Sequence, residues 1–188
     1  MKQRFSVRRI AYIALLVALT AICAWLAIPF GENAFTMQTF AVFVAAGLLG
    51  TCDGTICVLV YLLLGAVGVP VFSRFQAGVG VLLGATGGYL VGFIFSALLT
   101  GFLLSRVPDT LRGWKRFVLC ALSMIAGLVV CYIFGTAWFI LVYAPRAAKT
   151  VSVLGALSAC VFPYILPDLA KITLACILTE RLKPVLRR

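Results

Sequence analysis

Asp168 and Lys171 are the only acid and base inside one long apolar run of this sequence. Their i, i+3 spacing puts both on one face of a helix. A charge at hydrocarbon depth is costly and is retained where it is paired or lines a cavity. The pair therefore has two readings: an ion pair that locks helices together, or the polar part of a ligand site. Pro163 and Pro167 stand just before it, and they predict a helix that breaks and restarts near Asp168.

The remaining inventory argues against catalysis. The chain has no histidine. A Ser-His triad, an HExxH metal site and a histidine proton relay are thereby excluded. The stretch around Ser158 superficially suggests an intramembrane serine protease, but nothing is present to activate the serine. Seven cysteines are scattered without a CxxC pair, mostly inside apolar runs, where Cys behaves as a small hydrophobe. Neither a disulfide framework nor a metal site is expected. The run GVGVLLGATGG, from Gly78 to Gly88, lacks the GK[ST] of a phosphate loop and follows no strand pattern. Gly80, Gly84, Gly88 and Gly92 instead recur every fourth residue, a small-residue face for close helix approach. Tyr89 beside them carries a phenol that needs a partner at membrane depth. Ala11, Ala14, Ala18 and Ala21 form a second small-residue stripe, centred on Ala14-x-x-x-Ala18. It either packs inside its own bundle or docks another membrane protein.

The elements that position these residues are helices in lipid. Hydrophobic residues make up 64% of the chain and charged residues 11%, against about 25% charged in soluble domains. So little charge cannot cover a soluble globule. Six apolar segments are predicted, at about 10–30, 36–51, 54–71, 79–105, 115–143 and 152–181. The second is short for a span of about 20 residues; the last three are long enough to tilt. The first is longer than a signal-peptide core and reads as a retained helix. With no linker or repeat, residues 1–188 read as a single all-α transmembrane domain.

Basic residues set the orientation. With the N-terminus in the cytoplasm, the inner side collects Lys2, Arg4, Arg8, Arg9, Arg106, Arg112, Lys115, Arg116, Arg181, Lys183, Arg187 and Arg188. The outer side collects only Arg74, Arg146 and Lys149. Twelve against three puts both termini inside. The same pattern explains the net charge of +11 as a topology signal, so no nucleic-acid partner is expected. Thirteen residues at about 1.5 Å each place Asp168 about 20 Å above Arg181, in the outer half of the bilayer.

Four stretches together resemble the BioY family, the biotin-binding S components of energy-coupling-factor (ECF) transporters. They are Phe35–Phe40 (FTMQTF), GAVGVPVF at 65–72, GVLLGATGGYL at 80–90, and Leu166–Lys171 (LPDLAK). The resemblance covers nearly the whole chain. Ala85 stands where the family often has Pro, and Ser73–Ala77 stands where it often has a Gly-rich stretch. The resemblance implies a six-helix S-component bundle with a biotin pocket near the outer face. Asp168 and Lys171 would belong to that pocket, with Thr36, Gln38 and Gln76 as neutral hydrogen-bonding groups. Tyr89, Phe75 and Trp138 would offer ring surface. Lys171 could pair with the carboxylate, and Asp168 could accept a ureido N–H or hold Lys171 charged and oriented; which of the two contacts the carboxylate and which the ureido group stays open. The chain lacks a Walker A motif. A transmembrane coupling protein and two ABC-type ATPases would supply the energy, with Ala14 and Ala18 as the docking face. The expected setting is a bacterial-type plasma membrane. Biotin would be ligand rather than cofactor, and no metal is expected. The main rival is a stand-alone proton-coupled carrier for a small carboxylate or vitamin, with Asp168 as the coupling group. A membrane enzyme on a lipid substrate and a purely structural subunit are the other classes weighed.

Overall fold

Apolar helices account for most of the computed structural model, which describes residues 6–30, 33–108, 110–146 and 151–186. Lys2, Arg4, Lys149, Arg187 and Arg188, counted above for orientation, lie outside the described residues. Helix α1 spans Val7–Trp25. Strands β1 (Ala27–Phe30) and β2 (Asn33–Thr36) then form an antiparallel hairpin, pairing Ile28 with Phe35 and Ala27 with Thr36. This hairpin corrects the expectation that the first helix runs to residue 30. It is held to α1 where Met37 N donates to Cys23 O at 3.1 Å.

Helix α2, Gln38–Ala66, covers both the second and third predicted segments. It is not continuous. Gly50 has φ 79° and ψ −169°, a conformation open to glycine and costly for other residues. As one straight rod, Gln38 and Tyr61 would stand about 35 Å apart. Instead Gln38 Nε2 donates to Tyr61 Oη at 2.6 Å. A Cβ on Gly54 would lie 2.8 Å from Ala46 Cα. The arms 38–49 and 51–66 therefore fold back on each other at Gly50.

A 3-10 turn (Ser73–Phe75) and the short helix α3 (Val79–Leu82) precede α4 (Gly87–Arg106). The predicted segment 79–105 is thus broken at 83–86. The physical reason is glycine density: Gly80, Gly84, Gly87 and Gly88 all lower helix propensity. The four-glycine face is corrected accordingly. Gly88 and Gly92 do pack against a neighbouring helix, described below, but a Cβ on Gly80 would meet nothing within 4 Å.

Helix α5 (Trp114–Trp138) runs on through a π turn (Phe139–Tyr143) into a short helix α6 (Ala144–Arg146). Helix α7 (Val153–Cys160) is capped by Ser152, whose Oγ accepts from Gly155 N at 3.1 Å. Helix α8 spans Phe162–Leu186. The break in the last predicted segment falls at Val161 (φ −126°, ψ −59°) and not near Asp168. Pro163 explains it. In a continuous helix its ring would clash with the carbonyl of Ala159; at the second position of a new helix its missing N–H costs nothing. Pro167 is accommodated inside α8, so Asp168 and Lys171 share one unbroken helical face.

Helix α4 packs between α2 and α5, while α1 and α8 both lie against α2. At the α4–α5 crossing, a Cβ on Gly92 would sit 3.2 Å from Cys131 Cα, and one on Gly88 would strike Trp138. The buried core is aliphatic and aromatic, with Phe43, Tyr61, Phe72 and Met124 fully enclosed. Large apolar residues also point outward, among them Leu63, Phe102, Ile133, Leu141 and Leu174. In water that surface would be a liability; in hydrocarbon it is required. Five helical stretches among the described residues are long and apolar enough to cross a membrane, with α2 counted as one. The protein is a multi-pass membrane protein.

Charge gathers at one end. Arg9 pairs with Asp53 beside the Gly50 reversal, and Arg116 Nε lies 2.6 Å from Glu180 Oε2. Arg8 Nη2 reaches the Leu186 carbonyl at 3.4 Å. The start of α1, the Gly50 reversal, the start of α5 and the end of α8 therefore share that end.

Candidate functional site

Toward the opposite end lies a cavity of about 630 Å³. Its floor is the Asp168–Lys171 pair on α8, only 3% and 4% exposed. Lys171 Nζ donates to Asp168 Oδ1 at 2.7 Å, to the Thr36 carbonyl at 2.6 Å and to Thr39 Oγ1 at 3.3 Å. The Phe35 ring covers the ammonium, with Nζ 3.9 Å from its centroid, a cation–π contact. The β-hairpin thus brings both a ring and a carbonyl to Lys171. Asp168 accepts three hydrogen bonds in all. Oδ1 takes Lys171 and, at 3.2 Å, Thr39 Oγ1; Oδ2 takes Tyr132 Oη from α5 at 2.5 Å. Three elements of the bundle meet on one carboxylate.

The side walls are also tied down. Gln38 is held at both ends of its amide: Oε1 accepts from Thr36 Oγ1 at 2.9 Å, and Nε2 donates to Tyr61. Tyr61 Oη in turn donates to Val71 O at 3.0 Å. Tyr89 donates from Oη to the Cys160 carbonyl at 3.1 Å, joining α4 to the end of α7. The phenol thus has the partner its depth demanded.

Of the residues singled out in the sequence, Thr36, Gln38, Gln76, Tyr89, Asp168 and Lys171 all line this one cavity. Two do not. Phe75 is 62% exposed and stacks on Trp25, ring centroids 4.9 Å apart. Trp138 lies behind the wall, where its Nε1 donates to Gly84 O at 3.0 Å and holds the corner between α3 and α4. Its rigidity serves the cavity, but its ring surface faces elsewhere.

Sequence reasoning missed Tyr132 and Thr39, which bind the Asp168 carboxylate directly, and Arg74, which also lines the cavity. Tyr132 carried the same signal as Tyr89, a phenol deep in an apolar run. Thr39 lies inside the stretch FTMQTF, one residue beyond Gln38. Arg74 stood in the sequence as one of only three outer cations.

Chemically, the arrangement suits binding a small molecule rather than transforming one. A buried ion pair whose hydrogen bonds are satisfied by neighbouring groups is a rigid polar floor. Aromatic rings and apolar walls surround it, the composition of a small-molecule pocket. Among the described residues no group of acids and cysteines is placed to hold a metal.

Comparison with known proteins agrees with this picture. A model of the BioY family matches residues 1–188. The biotin transporter BioY of Thermotoga maritima is 37% identical over 177 residues, covering 94% of this chain and 96% of that one. A probable biotin transporter BioY of Pyrococcus horikoshii is 34% identical, with 94% and 96% covered. Among solved structures, the S-component for biotin from an ECF-type ABC transporter superposes with a TM-score of 0.81 at 27% identity, covering 98% of this chain and 95% of that one. From the match along its whole length and from these relatives, the chain belongs to the BioY family.

Proposed function

We propose that this protein is the membrane-embedded component that captures biotin for uptake, working within an ECF-type transporter. The observation that carries the reading is the buried network of Asp168, Lys171, Thr39, Tyr132 and the Thr36 carbonyl, set at the floor of a 630 Å³ cavity. Biotin offers an apolar bicycle and chain, a ureido group that donates and accepts, and a carboxylate. The cavity offers aromatic and apolar walls with fixed polar groups at separate points. Asp168, Lys171, Thr36, Thr39, Gln38, Gln76, Tyr89 and Tyr132 form the proposed contact set. Trp138 and Phe75 brace the wall and the rim from outside it.

In this reading the chain forms one domain and crosses a bacterial-type plasma membrane six times, with both termini cytoplasmic. The fold-back at Gly50 supplies the extra crossing beyond the five long helices. The gathering of basic residues at the end away from the cavity supports the orientation. A coupling membrane protein and two ABC-type ATPases complete the transporter, with the Ala14/Ala18 face as the docking surface.

The test is binding by the purified chain in detergent across a panel of vitamins. Biotin alone should raise the unfolding temperature, because a ligand that binds only the native state stabilises it by mass action. A shift with another vitamin and none with saturating biotin would refute the substrate. Uptake that follows a proton gradient, without any ATPase partner, would favour the stand-alone carrier instead.

A further inference from the structure

The floor of the cavity is a poor place for a carboxylate. Lys171 has three N–H donors, and Asp168, Thr39 and the Thr36 carbonyl occupy all of them. An anion there would have to displace one of these groups. It would also sit beside the Asp168 carboxylate in a low-dielectric interior, where like charges repel strongly. The pair as a whole is neutral, and Asp168 retains acceptor capacity beyond its three bonds. That suits a neutral group with N–H donors.

At the rim the situation is reversed. Arg74 lines the same cavity and is exposed. Among the described residues it has no hydrogen bond or ion pair. Its loop is built rather than loose. Arg74 (φ 57°) and Phe75 (φ 59°) both adopt the left-handed conformation, unusual for non-glycine residues. The turn is closed by Phe72 N donating to Gln76 O at 3.1 Å and Gln76 N to Ser73 O at 3.3 Å. Phe75 is stacked on Trp25, whose Nε1 donates to Pro70 O at 2.9 Å. The neighbouring Ser73 also lines the cavity, and its Oγ is buried without a hydrogen-bond partner.

From this arrangement we infer that Arg74 is the specificity-determining cation for the ligand's carboxylate, so that biotin lies with its ureido end on Asp168 and its acid at the rim. The inference rests on the biotin reading above. A guanidinium pairs with a carboxylate through two parallel N–H donors, a geometry lysine lacks.

Calorimetry with biotin and its neutral methyl ester on the full-length protein tests this. The wild type should bind the acid about tenfold or more tighter than the ester. Arg74→Gln should weaken the acid to the level of the ester and leave the ester unchanged. Arg74→Lys should restore part of the preference. Equal binding of acid and ester by the wild type overturns the assignment and leaves the biotin reading standing. So does a preference that survives in Arg74→Gln but disappears in Lys171→Met. Failure of the wild type to bind either form overturns the biotin reading, and this assignment with it.

Discussion

Asp168 accepts three hydrogen bonds from three different residues, so its carboxylate is the point on which the site depends. Lys171→Met would leave that carboxylate buried with only Tyr132 and Thr39. Asp168→Asn would leave the Lys171 ammonium without a counter-charge, among neutral acceptors only: the amide oxygen, the Thr36 carbonyl and Thr39 Oγ1. Breaking one member of a buried pair typically costs about 3–5 kcal/mol. Each variant is expected to lose most biotin affinity by calorimetry while still eluting as a monodisperse species in detergent. Wild-type affinity in both would make the pair a structural lock and nothing more. Tyr132→Phe removes one hydrogen bond to a charged group, worth about 1.5–3 kcal/mol. It should weaken biotin by about tenfold or more, and by less than either charge substitution. The asymmetry in what was legible has the same origin. A charge in an apolar run announces itself, so Asp168 and Lys171 stand out. A threonine there is ambiguous, because its hydroxyl satisfies itself locally as readily as it joins a network, and a tyrosine's phenol needs a partner that the sequence does not name. Thr20, bonded to the Leu16 carbonyl four residues back, is an example of the local kind.

Helix α4 shows how much one element asks of particular glycines. A Cβ on Gly88 would strike Trp138 and approach the Phe134 carbonyl to 2.7 Å. Backbone cannot yield as a flexible side chain does. Gly88→Ala should therefore destabilise by about 1–3 kcal/mol, as overpacking typically does, read as a lowered unfolding temperature in detergent. Gly80→Ala is the control from the same glycine series. Its Cβ meets open space, and alanine favours helix over glycine, so stability should hold or rise slightly. Equal losses at both positions would mean that the series acts as one packing face after all. Periodicity alone cannot separate these glycines, since every fourth position looks the same on a helical net. What separates them is the corner at 83–86, which tertiary contact fixes through Trp138 and Gly84. The hairpin Ala27–Thr36 was hidden for a related reason: its flanks are as apolar as the helices beside it. The fold-back at Gly50 lay within reach, because the predicted segments already ended at 51 and resumed at 54.

Across the whole molecule, the binding cavity and the charged end are separated by the length of the bundle, and that separation bears on coupling. Helix α1 runs between the two ends. Ile13, Leu16, Val17 and Thr20 face the core, whereas Ala11, Ala14 and Ala18 are exposed; of the alanine stripe, only Ala21 turns inward. Internal packing therefore does not explain why Ala14 and Ala18 are small. Ala14 and Ala18 stand among the exposed, larger Ile10, Leu15 and Ile22. A partner helix that packs on this face gains close backbone approach, and a bulky side chain would hold it away. Replacing Ala14 and Ala18 together by Trp should then leave biotin affinity of the solitary chain nearly unchanged, since neither residue lines the cavity. If the proposed coupling protein docks on this face, the same double variant should lose co-purification with it and lose ATP-dependent uptake in cells. If the stripe served only its own bundle, the variant would misfold and lose affinity and association together. Normal uptake by a folded double variant would remove the docking face from consideration. A variant that binds biotin, fails to associate and fails to transport would show that capture and energisation occupy different surfaces of one small helical bundle.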